Sequence, residues 1–144
     1  MAETLMDGID MGRMLSKAVK SAGGVTAFSK LHGFKPQAVW DTHSLKGINE
    51  KVVSSVGLIM VLRYPLTSDP KTLATGKQVQ DKLNSFIREC KTQRAAARIF
   101  GIHETTLSNI QNALRGFSPV LAQLGFREPV QRYVWKKADA RATA

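Results

Sequence analysis

The chain is expected to be all-α: two tandem helix-turn-helix units of four to five short helices each, followed by a short C-terminal β-strand. Three observations carry that expectation. Apolar residues recur at helical spacing along most of the 144 residues. Capping residues and glycines cut this periodicity into short segments. The same pattern is also written twice: displaced by 68 positions, Met11–Leu58 aligns with Val79–Phe126 without a gap. Leu15/Leu83, Ala27/Ala95, Gly33/Gly101, Val52/Val120 and Gly57/Gly125 are identical, and Val19/Ile87, Leu31/Ile99, Phe34/Ile102, Val39/Leu107 and Val53/Leu121 stay apolar. A match at one fixed period is the mark of a repeated supersecondary unit.

In the first copy Met11, Leu15, Ala18, Val19 and Ala22 share one helical face. A second helix is expected at about Val25–His32, a turn at Gly33, and a third helix at about Pro36–Ser44. Pro36 suits a first helical turn, where the missing N–H costs nothing. Asn49 can cap a last helix running from about Glu50 to Leu62. Tyr64–Thr75 (YPLTSDPKTLAT) holds two prolines and several turn formers and reads as a linker.

The second copy repeats the order. Val79, Leu83, Phe86, Ile87 and Cys90 form a stripe, and Gln93–Phe100 follows Thr92, whose hydroxyl can cap it. Gly101 makes the turn before Glu104–Leu114, and Ser118 can cap a helix at about Pro119–Leu124. Pro129–Lys137 alternates and is rich in β-formers, so it is expected as a strand pairing within the chain or across a dimer. The domain expectation is therefore 1–63, a linker 64–75, 76–137, and a disordered tail 138–144.

Composition narrows the partner. The chain has 21 Lys+Arg against 11 Asp+Glu, a formal charge of +10. Up to Pro70 there are 8 basic and 6 acidic residues; from Lys71 onward there are 13 and 5. Such an excess attracts a polyanion, nucleic acid before an anionic membrane, and assigns most of the contact to the second half. Cys90 is the lone cysteine, which excludes a disulfide framework or a cysteine-based zinc site and fits a reducing compartment. The three histidines lack partners at ligand spacing, and no phosphate loop, dinucleotide fingerprint or nucleophile elbow is present. No enzyme activity, metal or cofactor is expected. The acidic N-terminus lacks the apolar core of a signal peptide, and Val52–Leu62 is too short to span a bilayer, so a cytoplasmic protein is expected.

Gln93–Asn112 (QRAAARIFGIHETTLSNIQN) has each part of a helix-turn-helix. Ala96 and Ala97 permit close helix approach, Gly101 can take positive φ, and Ala96, Phe100, Ile102, Leu107 and Ile110 have the spacing of an inward face. These residues, with Ser118–Phe126 downstream, resemble the lambda-repressor/Cro-like helix-turn-helix family over roughly Val79–Phe126. The resemblance implies that Glu104–Leu114 is a recognition helix in the major groove of double-stranded DNA. His103, Glu104, Thr105, Ser108, Asn109 and Asn112 would then face bases, to which Asn, Glu and Thr are chemically suited. Gln93 and Arg94, with Arg98 and Arg115, would bind phosphates.

The first copy, SAGGVTAFSKLHGFKPQAVWD, resembles the YdaS-like antitoxin and phage-regulator version of this fold, through Ser21–Gly24 and Gln37–Val39. It departs at His32 and Thr42, which stand where the second copy has Phe100 and Ile110. It is expected either to read a second DNA subsite through Lys35, Gln37 and Trp40, or to serve in dimerisation or in binding a protein partner. Together these readings imply a transcriptional regulator, a repressor of a phage or mobile element. The rivals are an accessory DNA-binding protein of plasmid partition, conjugation or replication, and an antitoxin or adaptor gripping a protein through its first copy. A homodimer would cover an extended site.

Overall fold

The computed structural model describes residues 5–136, so the expected tail lies outside the described residues. Helices α1 (Gly8–Ala22), α2 (Val25–His32), α3 (Pro36–His43) and α4 (Glu50–Ser55) come first, then strands β1 (Leu58–Pro65) and β2 (Leu73–Ala74). Helices α5 (Gly76–Cys90), α6 (Gln93–Phe100), α7 (Glu104–Gln111) and α8 (Ser118–Leu124) follow, and strand β3 (Val130–Trp135) closes the described chain.

The repeat is structural. α5, α6 and α7 begin and end 68 residues after α1, α2 and α3. Each first helix opens with a capping box: Asp7 accepts from the Asp10 N–H at 2.9 Å, and Thr75 from the Gln78 N–H at 3.1 Å. Gly33 (φ 74°) and Gly101 (φ 72°) make the same left-handed turn. Even strained residues recur, with Leu45 at φ 64° and Ala113 at φ 63°. Thr92 and Asn49 cap α6 and α4 as expected. Ser118 instead occupies the first turn of α8, and its hydroxyl donates to Glu128 at 2.8 Å.

An all-α fold is incorrect. The chain is mostly helical, but its strands form one antiparallel sheet in the order β2-β1-β3. The expected helix over Glu50–Leu62 ends at Ser55 because Gly57 takes φ +86°, and the apolar run from Leu58 then extends as β1. A continuous apolar run suits a buried strand as well as a helix, and here the glycine decides. The expected linker Tyr64–Thr75 contains the end of β1 and all of β2, with Tyr64 paired to Ala74 and Pro65 to Leu73. The strand expected at Pro129–Lys137 is present as β3 and pairs within the chain.

Two compact units result, and neither coincides with one half of the chain. Among the described residues the first comprises 5–61 and 131–136; the second is Leu62–Val130. In the first unit Met11, Leu15, Phe28, Val52 and Leu58 form a core that Tyr133 of β3 completes. Met6 and Tyr133 exchange backbone hydrogen bonds of 2.8 and 2.7 Å. In the second, Val79, Leu83, Leu107, Ile110 and Val120 form the core, joined by Tyr64 from the end of β1. The first core thus takes Leu58 from β1 and Tyr133 from β3, and the second takes Tyr64 from the end of β1.

Candidate nucleic-acid interface

The second unit presents the better-formed helix-turn-helix. Thr92 Oγ1 accepts from the Ala95 N–H at 3.0 Å and starts α6. Ala96 and Ala97, 0% and 2% exposed, let α6 and α7 approach closely. Leu107 and Ile110 are fully buried beneath α7, and Phe100 and Ile102 pack against the same core. That inward face is the one expected from the sequence, and it turns the polar residues of α7 outward.

His103 is the cap of α7, with its Nδ1 accepting from the Thr105 N–H at 3.0 Å. Glu104 follows in the first turn, where the helix dipole favours an anion. Arg94 Nε donates to Glu104 Oε1 at 2.9 Å, joining the start of α6 to the start of α7. The carboxylate raises the Arg94 pKa further above its ordinary value, through the hydrogen bond first and its charge second. Both groups are solvent-exposed, so the pair orients two side chains more than it stabilises the fold. His103, Thr105 and Asn112 are exposed; Ser108 and Asn109 are half-buried on the same side of α7. Asn112 Nδ2 donates to Ser108 Oγ at 3.4 Å. Arg98 and Arg115 are exposed cations with no ion-pair partner among the described residues.

Gln93 has a different setting from the other expected phosphate ligands. Its Nε2 donates to Gln111 Oε1 at 2.5 Å, and Gln111 Nε2 donates to Asn84 Oδ1 at 3.3 Å. Gln80 Nε2 donates to Asn84 and to the Gln111 carbonyl, both at 3.1 Å. This amide network ties α5, α6 and the end of α7 together, and sequence reasoning missed it. The repeat carried a signal, since Asn84, Gln93 and Gln111 replace Ser16, Val25 and His43 of the first copy.

The first unit has the same frame with altered chemistry. Thr42 is fully buried where the second copy has Ile110, but its Oγ1 donates to the Ala38 carbonyl at 2.8 Å and accepts from the Asn49 N–H at 3.0 Å. His32 lies against Phe34, ring centroids 5.5 Å apart and nearly parallel. Lys35 caps α3 without a side-chain hydrogen bond and is exposed. Gln37 donates its amide to Asp41 Oδ1 at 2.8 Å. Trp40 is 55% exposed. Gly23 and Gly24 precede α2, which has no side-chain cap.

Among the described residues no group of His, Cys, Asp and Glu could hold a metal ion. None of the helices there is long and apolar enough to cross a membrane. Comparison with protein-family models, curated proteins and solved structures finds no match.

Proposed function

We propose that this chain is a sequence-specific double-stranded DNA-binding regulator, most directly a repressor, that reads bases with α7 of its second unit. The single observation that supports the reading most strongly is the α6–turn–α7 element. Its left-handed Gly101 and fully buried Leu107 and Ile110 leave Thr105, Ser108, Asn109 and Asn112 facing outward. Those side chains carry the donors and acceptors that base edges require. Arg94 steadies Glu104 at the front of the helix, while Arg98 and Arg115 are exposed, without ion-pair partners among the described residues, and suit phosphates. The excess of basic residues after Lys71 agrees with that division of labour.

Repression follows by occupancy, because a protein seated on an operator excludes competitors for the same DNA. Selection from a random duplex pool tests the reading. The native protein should enrich one motif, Asn109→Ala should relax it at one position, and Gln37→Ala should leave it intact. Absence of any enriched sequence would refute specific recognition.

A further inference from the structure

In the first unit α1 and α3 border an open groove of about 220 Å³, floored by Leu15, Val19, Val25, Val39 and Trp40. A shallower hollow of about 410 Å³ continues it past Ile9 and Leu45. Ser16 and His43 line both, and Ser16 Oγ lies 2.6 Å from His43 Nε2. Ile9 is 64%, Trp40 55% and Leu45 48% exposed, which is costly in water for side chains that could have been polar.

The second unit supplies an internal comparison. The corresponding region there is lined by Asn84, Ile87, Arg88, Lys91, Gln111 and Asn112, with the amide network across it. Val19 and Lys20 keep their type there as Ile87 and Arg88, but Val25, Trp40 and His43 are replaced by Gln93, Ser108 and Gln111, so the first copy is the more apolar at this place. The features suited to DNA are replaced as well. Val25 and Thr26 stand for Gln93 and Arg94, and Pro36 stands for Glu104. The Gln37 amide is engaged by Asp41.

We propose that the first unit is a protein-docking module whose α1–α3 groove receives an acidic amphipathic helix of a partner protein. The two hollows share Ser16 and His43, and the apolar floor suits anchors spaced three, four and seven residues apart on a helix. Its cations are Arg13 and Lys20, seven residues and so about 10 Å apart along α1. Among the described residues no carboxylate lines either hollow. An occupant must therefore combine an apolar face with acidic flanks. A second copy of this chain, with formal charge +10, is poorly suited, and a DNA backbone has no apolar face to cover Trp40. The proposal does not depend on DNA reading by α7.

The test is selection of 16-residue peptides from a random display library on the full chain, with the Trp40→Ala protein as the comparison. Trp40 is exposed, so this variant keeps its core. Enriched peptides should carry apolar residues at helical spacing with an excess of Asp and Glu. Their affinity should fall at least tenfold in Trp40→Ala and in the Arg13→Glu/Lys20→Glu double variant, and should be unchanged in Asn109→Ala. Four results overturn the proposal: no enrichment over Trp40→Ala; enriched peptides that are basic or neutral; a selected DNA duplex whose binding is lost in Trp40→Ala; or self-association abolished by Trp40→Ala.

Discussion

Replacing Tyr133 by Ala, close to the C-terminus, should unfold the N-terminal helices first. Tyr133 is 1% exposed and is among the largest fully buried side chains. Its ring belongs to the core formed by Met11, Leu15, Phe28 and Val52, more than 80 residues earlier in sequence. Truncating a buried aromatic ring to a methyl group costs about 3–5 kcal/mol, the lost transfer energy plus the cavity left behind. A unit of this size has a total stability of roughly 4–11 kcal/mol, so much of it would be lost. Native-state hydrogen exchange reads the effect unit by unit. Amides of α1, α2 and α4 should lose roughly a hundred- to several-thousand-fold of their protection, at about 1.4 kcal/mol per tenfold. Amides of α5, α7 and α8 should keep theirs. Loss confined to the second unit, or equal loss in both, would refute the assignment of β3 to the first unit's core.

Three further outcomes follow from single side chains. Ser29 Oγ is buried without a hydrogen-bond partner among the described residues where the second copy has Ala97, so Ser29→Ala should raise the first unit's stability by about 1–2 kcal/mol, measured by denaturant unfolding. Burial raises the Tyr133 phenol above its ordinary value of 10.0. A raised folded value means that the phenol's contribution is complete below pH 10 and is lost as pH climbs through the folded value. Tyr133→Phe should therefore flatten the fall in melting temperature above pH 10, and an unchanged slope would contradict this. Removing one phosphate contact with Arg115→Ala should weaken binding to all duplexes alike and lower the salt slope by about one, checked by titration at several ionic strengths.

The helices were legible because their information is local. The stripe Val79–Leu83–Phe86, the Thr92 cap and the turn at Gly101 each act within a few residues, and each stands where the sequence implies. Asn109 and Ser108 could be assigned to the outer side of α7 for the same reason: Leu107 and Ile110 fix the inner side. β1 was obscured because an unbroken apolar run has no period to separate strand from helix. Gly57, aligned with Gly125, held the clue that the run stops being helical there. Assigning Tyr133 to the core of Leu15 required a pairing with Met6 across most of the chain, which no local pattern encodes. The amide network and the α1–α3 groove likewise arise only when first and third helices lie side by side.

Specific recognition by α7 is tested most directly by one affinity ratio. The dissociation constant for the duplex selected by the native chain is measured against that for a scrambled duplex of the same length and salt. Specific protein–DNA complexes are typically at least about a thousandfold tighter than non-specific ones. Base reading by α7 predicts a ratio of that order, reduced roughly 5- to 150-fold by Asn109→Ala through loss of about 1–3 kcal/mol of base discrimination. A ratio near one, or a ratio that Asn109→Ala leaves unchanged, would contradict it.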